Sequence, residues 1–271
     1  MKSRLAKIIM VAATLVLLAA MAAGCGTQPA EEPAKEPATP ALSGSLTIAG
    51  STSVQPFSEV LAEEFTAKYP EVKINVQGGG STQGIEAAKT GVADIGASSR
   101  ELKPEEKGLK EFVIARDGIA VVVNPANKVD GLTAAQIKDI FLGKITNWKD
   151  VGGADAAITL VSREEGSGTR DGFEALVMNK EPVSDKAVVA NSTGAVKTTV
   201  AGDVNAIGYM SMASLDKSVK ALAVDGVAPS AKTVLDGSYK VSRPFIYLTK
   251  EEPTGVAKAF IDFVLSDEGQ A

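Results

Sequence analysis

Three segments of the chain share one design, in which a short apolar strand leads into a cluster of Gly, Ser and Thr and then into a helix. Glycine lets the backbone approach a ligand closely, and the first turn of a helix offers free N–H groups and the positive end of its dipole. One such cluster is most simply a helix cap, whereas three on one chain predict convergence on an anion. The segments are Ala49-Gly-Ser-Thr-Ser53, Gly78-Gly-Gly-Ser-Thr82 and Gly166-Ser-Gly-Thr169.

Apolar periodicity alternates between strand and helix along the body of the chain. This alternation predicts an α/β architecture with ligand sites at the carboxyl ends of the strands. Strands are predicted over 45–49, 72–76, 93–97, 119–123, 158–161, 206–210 and 245–248, and helical segments over 54–68, 84–90, 133–141, 172–178, 196–201, 212–215 and 254–265.

Two arginines follow predicted strands close to these clusters. Arg163 lies just before Gly166-Ser-Gly-Thr169, and Arg100 ends the segment Asp94-Ile-Gly-Ala-Ser-Ser-Arg100. A guanidinium suits a tetrahedral oxyanion because it donates two parallel hydrogen bonds, whereas an exposed arginine in a surface ion pair has no such role. We therefore predict Arg163 as a ligand contact and keep Arg100 as a candidate for an additional one.

The N-terminus predicts export and anchoring. A basic head over residues 2–7 precedes an uncharged apolar run over residues 8–23, which is typical of a secretory signal peptide, residues 1–24. This run is shorter than the ~20 residues that a membrane-spanning helix needs. Cys25, the only cysteine, follows Ala-Ala-Gly as in a bacterial lipobox, although Ala22 stands where Leu is usual. We predict that Cys25 carries a lipid anchor in the cell membrane.

Residues 25–42 are rich in Pro, Ala and Glu and predict a disordered tether.

Composition excludes several classes of function. Removing residues 1–24 takes away three positive charges and no negative one, which leaves 25 Lys and Arg against 33 Asp and Glu, a net charge of −8. This balance argues against a nucleic-acid partner. The chain has no histidine, so a Ser-His-Asp triad is impossible, and we predict no enzyme activity, metal or cofactor.

Six segments, in this order and spacing, closely resemble the phosphate-binding proteins of Pst-type ABC transporters over about residues 44–265. The segment that begins at Arg163 is the most specific of them. The six are Ala49-Gly-Ser-Thr-Ser-Val-Gln-Pro-Phe57, Gly78-Gly-Gly-Ser-Thr82, Asp94-Ile-Gly-Ala-Ser-Ser-Arg100, Leu142-Gly-Lys-Ile-Thr-Asn-Trp148, Arg163-Glu-Glu-Gly-Ser-Gly-Thr-Arg170 and Ala206-Ile-Gly-Tyr209.

This resemblance implies a two-lobed Venus-flytrap fold of type 2, α/β in class, with a discontinuous first lobe and phosphate buried between the lobes. It also implies a monomer that hands phosphate to the permease subunits of an ABC importer. Carried over position by position, the implied phosphate contacts are Thr52, Ser53, Ser81, Ser99, Arg163, Ser167, Gly168 and Thr169.

One position departs from the family pattern. Larger members have an Asp where this chain has Ser99, and that carboxylate accepts a hydrogen bond from the proton of phosphate. Sulfate has no such proton, so the carboxylate rejects it. Selectivity against sulfate is therefore left open by Ser99, with Asp94, Glu164 and Glu165 as other candidate acceptors. Relatives also usually continue beyond Ala271, where this chain stops.

The lobe boundaries lie where we expect the chain to pass from lobe one to lobe two, near Gly118, and to return, near Ser242. Lobe one would comprise residues 43–118 and 243–271, and lobe two residues 119–242. A ligand that bridges the lobes would favour the closed state, because only that state completes its contacts.

Three rival functions stay open from the sequence. The nearest is a binding protein for another oxyanion, such as sulfate or molybdate. The second is an enzyme, for instance a phosphate-ester hydrolase, and the third is a cell-surface adhesin that keeps the fold but has lost transport. Against the enzyme, Gly166-Ser-Gly-Thr169 is not a Gly-x-Ser-x-Gly nucleophile elbow, and the chain has no Walker A motif.

Overall fold

The computed structural model describes residues 42–271. The predicted signal peptide, Cys25 and all but the last residue of the predicted tether therefore lie outside the described residues. Within the part of the chain that is described, no helix is both long enough and apolar enough to cross a membrane.

Strands and helices alternate along most of this chain. The strands between residues 42 and 271 are β1 Gly44–Gly50, β2 Val72–Gly78, β3 Ile95–Ser98, β4 Lys110–Val123, β5 Gly131–Leu132, β6 Thr159–Arg163, β7 Val188–Ala190, β8 Ala206–Ser211, β9 Lys220–Ala221, β10 Ala223–Val224 and β11 Ser242–Thr249. The α-helices of the same range are α1 Gln55–Lys68, α2 Ser81–Thr90, α3 Ala134–Phe141, α4 Gly168–Leu176, α5 Thr193–Gly202, α6 Ala231–Leu235 and α7 Gly255–Leu265. Single 3₁₀ turns cover Pro104–Glu106, Trp148–Val151 and Met212–Ser214.

One curled sheet runs through the molecule in the order β2-β1-β3-β11-β4-β8-β6-β7, and β9 pairs with β4. Strands β1, β2 and β3 are parallel, as are β6, β7 and β8. The first part of β4 pairs antiparallel with β11, and its second part, from Ile119, pairs antiparallel with β8. Strand β4 therefore belongs to both halves of the sheet.

Two large hydrophobic cores lie on either side of this shared region, which gives the fold its two lobes. The core of lobe one combines β1–β3, α1, α7 and part of β11, with Phe65 and Phe260 in edge-to-face contact. The core of lobe two combines β4, β8, α3 and α4, where the rings of Phe173 and Tyr209 stack 4.0 Å apart. The two cores draw their apolar residues from different stretches of the chain.

The sequence predictions of individual elements are largely confirmed. Thr133 caps α3 as predicted, since its side chain accepts a hydrogen bond from the backbone N–H of Gln136. The strand predicted over 119–123 is only the end of β4, which begins at Lys110. Its first part was missed because charged residues interrupt the apolar pattern there. Helix α6 and the strands β5, β7, β9 and β10 are not predicted by the sequence pattern either, since all of them are short and carry few buried residues.

Candidate anion-binding site

The three predicted loops lie at the carboxyl ends of β1, β2 and β6, each directly before a helix. The loop after β1 leads into α1, Ser81 is the first residue of α2, and Gly168 is the first residue of α4. Lobe one supplies the first two loops and lobe two the third. The positive ends of three helix dipoles therefore approach one region between the lobes.

Six side-chain hydroxyls meet in this region, and we call them the hydroxyl cluster. Ser53 Oγ lies 2.9 Å from Thr169 Oγ1 and 3.0 Å from Thr193 Oγ1, which joins the two lobes. Ser81 Oγ lies 3.3 Å from Ser99 Oγ and accepts a hydrogen bond from the Ser99 backbone N–H. The members of the cluster are Thr52, Ser53, Ser81, Ser99, Thr169 and Thr193.

Arg163, at the end of β6, directs its guanidinium into the cluster and is almost fully buried. Its Nε and Nη2 donate to both carboxylate oxygens of Glu164, at 2.8 and 2.7 Å. On the other side Nη2 donates to Thr52 Oγ1 at 3.1 Å, and Nη1 lies 3.4 Å from Thr193 Oγ1. Glu164 thus orients the guanidinium while leaving one edge toward the hydroxyls.

Ser167 and Gly168, also predicted as contacts, occupy different positions. The Ser167 hydroxyl caps α4 by accepting a hydrogen bond from the backbone N–H of Arg170, so it serves the helix and not the hydroxyl cluster. Gly168 lies directly against lobe one. A Cβ atom added there would be 2.2 Å from Ser81 Oγ and 2.8 Å from Ser99 Oγ, so only glycine permits this approach.

A second arginine, Arg243, enters the cluster from β11 and was not predicted. It is buried, and its Nη1 donates to Thr169 Oγ1 at 2.9 Å and to Ser99 Oγ at 3.1 Å. Its Nη2 donates to Ser53 Oγ at 3.2 Å. The sequence pattern places candidate cations at the carboxyl ends of strands, whereas Arg243 lies near the start of β11. Because β11 runs antiparallel to β3, its first residues reach the edge where β3 ends.

Asp117 pairs with Arg243 on the side that faces away from the hydroxyl cluster. Arg243 donates to Asp117 Oδ2 from Nε at 3.2 Å and from Nη2 at 3.0 Å, and Ser211 donates to Oδ1 at 2.8 Å. Burial raises the pKa of the Asp117 carboxyl, against the opposing charge of Arg243. Burial likewise lowers the pKa of Arg243, against the attraction of Asp117. The donated hydrogen bonds favour the carboxylate, and a guanidinium keeps its proton in proteins, so the pair is ionised.

Thr193, at the start of α5, is the second member of the cluster that sequence reasoning missed. Its backbone N–H donates to Thr52 Oγ1 at 3.2 Å, and its hydroxyl contacts Ser53 and Arg163. The segment Asn191-Ser-Thr-Gly194 after β7 follows the same design as the other three loops. Two of the three residues of β7 are exposed valines, so the apolar pattern does not predict a strand there. Without a predicted strand, the pattern does not identify this loop as leading to a fourth helix N-terminus.

Arg100 is buried, but the structure places its guanidinium in ion pairs outside the hydroxyl cluster. Its Nη1 and Nη2 donate to both oxygens of Glu106, at 2.6 and 2.7 Å, and Nη2 also donates to Thr82. Its Nε lies 2.8 Å from Asp171 Oδ2, although the angle is not that of a hydrogen bond. The donors of the Arg100 guanidinium are therefore engaged by carboxylates and are not directed at the hydroxyl cluster, where an additional ligand contact would lie.

The candidate carboxylate acceptors also face away from the hydroxyls. Asp94 accepts a hydrogen bond from the Thr47 backbone N–H, Glu164 pairs with Arg163, and Glu165 is exposed. Between residues 42 and 271, no carboxylate hydrogen-bonds any of the six hydroxyls, and no group of three acidic or cysteine side chains could hold a metal ion. Hydroxyls, two guanidinium groups and helix N-termini form a site that fits a small oxyanion.

Comparison with known proteins identifies the family. Residues 35–268 match the PBP superfamily domain. The phosphate-binding protein PstS of Bacillus subtilis is 39% identical over 234 residues, covering 84% of this chain and 77% of that protein. A structure from Clostridium perfringens, described as a phosphate ABC transporter substrate-binding protein with bound phosphate, is 51% identical with a TM-score of 0.82 and covers 84% of this chain and 95% of its own. An ABC-type phosphate transport receptor from Vibrio cholerae is 42% identical with a TM-score of 0.69, covering 83% and 95%. This chain belongs to the PstS family of phosphate-binding proteins, within the PBP superfamily.

Proposed function

We propose that this protein captures inorganic phosphate outside the cytoplasmic membrane and delivers it to an ABC importer. The observation that carries the proposal is the meeting of six hydroxyls and two buried arginines, from both lobes, at four helix N-termini. Such groups donate hydrogen bonds toward the oxygens of a tetrahedral anion. The phosphate named for the similar Clostridium perfringens structure supports the same ligand here.

The proposed phosphate contacts are those carried over from the family, with Thr193 and Arg243 as neighbours in the same cluster. Among them, Gly168 would contribute its backbone N–H at the first turn of α4. Ser167 would donate through its hydroxyl, whose oxygen caps that helix, because its backbone N–H already donates to the Glu164 carbonyl. The carried-over set is Thr52, Ser53, Ser81, Ser99, Arg163, Ser167, Gly168 and Thr169.

Delivery requires a partner in the membrane and a means of staying close to it. We propose that Cys25 carries a lipid, that residues 25–42 tether the protein, and that a monomer docks on the permease subunits. The lobes would meet at residues 118/119, within the shared strand β4, and at residues 242/243, at the start of β11. Phosphate would then favour the closed arrangement by bridging the lobes.

The test is isothermal titration calorimetry of the purified protein with phosphate, sulfate and arsenate. We expect phosphate and arsenate to bind at one site per chain. Sulfate is also a tetrahedral dianion and should compete, but more weakly, because it has no proton to donate to the hydroxyl oxygens. Binding of sulfate as tight as that of phosphate would favour the alternative, a binding protein for another oxyanion. Release of phosphate from an ester by the pure protein would favour a hydrolase.

The matched variants are Arg163→Ala and Arg116→Ala. Arg116 is exposed on β4, so its loss changes the net charge equally without touching the cluster. We expect Arg163→Ala to weaken phosphate binding at least about tenfold, because a hydrogen bond to a charged group contributes about 1.5–3 kcal/mol. Arg116→Ala should leave the affinity within about twofold, since surface charges matter little. Equal affinities for the two variants would place the site elsewhere.

A further inference from the structure

Arg243 lies where the two lobes meet, directly beside the strand that both share. Strand β4 is common to both lobes, and Arg243, at the start of β11, pairs with Asp117 of β4. Its guanidinium donates hydrogen bonds to Ser53 and Ser99 of lobe one and to Thr169 of lobe two. A single side chain at the crossing between the lobes therefore reaches hydroxyls of both.

We propose, as an extension that rests on the phosphate-binding function above, that Arg243 is a second anion-binding arginine. Together with Arg163 it makes the site select the doubly charged form of a tetrahedral anion, HPO₄²⁻ over H₂PO₄⁻. The three hydroxyls that Arg243 contacts are all among the proposed phosphate contacts, so an anion held by those hydroxyls meets its guanidinium as well.

The selection for charge follows from where the carboxylates lie. Asp117 and Glu164 each hold one arginine from the side that faces away from the hydroxyls. Neither accepts a hydrogen bond from the six hydroxyls of the described cluster. An anion among the hydroxyls thus meets donors and two guanidinium groups. A second negative charge on the anion strengthens both attractions in this desolvated site, and no facing carboxylate repels it or requires a proton from it.

Across neutral pH the ligand changes its protonation state, whereas a guanidinium keeps its proton in proteins. Tyr209, which contacts the Arg163 backbone N–H from β8, has its pKa raised by burial to about 12. Burial raises the pKa of the Tyr239 phenol as well, and the charge of Asp117 adds to this shift. Asp117 pairs with Arg243, and Glu164 pairs with Arg163.

The experiment compares phosphate with fluorophosphate, a similar tetrahedral phosphoryl anion whose second charge is retained at lower pH. Calorimetric affinities are measured at about pH 6 and about pH 8.5, on either side of the second ionisation of phosphate. We expect the unmodified protein to bind phosphate roughly tenfold more tightly at the higher pH, since one proton must leave the ligand. Fluorophosphate should change by less than about threefold, which corrects for any titration of the protein.

The variant that removes the second arginine is Arg243→Gln with Asp117→Asn, which avoids an unpaired buried carboxylate. We expect it to lose at least about tenfold in phosphate affinity at the higher pH, because a charged donor is gone. Its ratio of affinities between the two pH values should also fall. Arg116→Gln removes one exposed positive charge from the same strand as Asp117 and should change neither quantity.

The outcomes separate this inference from the proposed function. An unmodified protein that binds no phosphate would refute the proposed function itself. A protein that binds phosphate equally at both pH values, or a double variant with unchanged affinity, would overturn the inference alone. If the double variant does not fold, Arg243→Lys decides, because it keeps the charge beside Asp117 but loses the planar fork. We expect this variant to bind phosphate more weakly at both pH values while it keeps the ratio of affinities between them. A folded Arg243→Lys protein that loses this ratio would overturn the inference.

Discussion

Three buried arginines, Arg100, Arg163 and Arg243, lie between the lobes and differ in what surrounds them. Arg163 and Arg243 each face a carboxylate on one side and hydroxyls on the other. Arg100 instead pairs with both oxygens of Glu106 and lies close to Asp171 of helix α4 in lobe two. We call Arg100, Glu106 and Asp171 the ion-pair group.

The difference shows that burial and position after a strand do not by themselves make an arginine a ligand contact. Burial acts to lower the pKa of Arg100, but the pairs with Glu106 and Asp171 outweigh it and raise that pKa. Its donors are thus committed within the protein. In the hydroxyl cluster the partners are neutral and can exchange their hydrogen bonds for those of an anion. We therefore expect the cluster to control binding and the ion-pair group to control stability.

The largest effect on binding is expected from Gly168→Ala. The added Cβ would lie 2.2 Å from Ser81 Oγ, so lobe two could no longer approach lobe one at this point. We expect phosphate affinity to fall by more than about a hundredfold, since contacts from both lobes are lost. The matched control is Gly194→Ala in the first turn of α5, where the nearest atom, Ser192 Oγ, is 4.0 Å away. Calorimetry of both should show little change in the control, and similar losses would contradict the close-approach argument.

Arg100→Gln tests whether the ion-pair group controls stability. It leaves Glu106 buried without its guanidinium, so we expect the free energy of unfolding to fall by about 3 kcal/mol in urea denaturation. The double variant Arg100→Gln/Glu106→Gln should recover part of that loss. Phosphate affinity should fall less than in Arg163→Ala. A larger fall than in Arg163→Ala would mean that the two groups are not separate in function.

Single hydroxyls should give smaller effects. We expect Thr169→Val and Thr193→Val each to weaken phosphate binding by about three- to tenfold, because one neutral hydrogen bond contributes about 1 kcal/mol. Thr90→Val, at the exposed end of α2, serves as the control with the same change of chemistry. Calorimetry would speak against a role for the fourth helix N-terminus if Thr193→Val behaved like Thr90→Val.

The smallest effect concerns acid stability. The hydrogen bonds from Arg100 lower the pKa of Glu106 below its ordinary value of 4.5, despite burial. A carboxyl with a lowered pKa in the folded state stabilises the fold above its unfolded pKa, and this contribution is lost as pH falls through the folded pKa. We expect the stability difference between the unmodified protein and Glu106→Gln to shrink as pH drops below about 4.5. A difference that stays constant with pH in denaturation experiments would show that Glu106 is not ionised in the fold.

Much of the site could be predicted from local patterns. The loops after β1, β2 and β6 were recognised because a strand, its glycines and the following helix lie within a few residues of each other. Arg163 was recognised for the same reason. Thr193 escaped because β7 has only three residues and two of them are exposed. Arg243 escaped because its part in the site depends on an antiparallel neighbour, which local periodicity does not reveal.

The sequence by itself determined the α/β alternation, the three glycine and hydroxyl loops and the family to which the chain belongs. The tertiary structure alone decided which side chains share a site. It brought Arg243 to Ser53, 190 positions away, and committed Arg100 to Glu106 and Asp171. The physical reason is range: strand periodicity and helix capping are set within a few residues, whereas the partners of a buried charge are set by strand order and lobe contact.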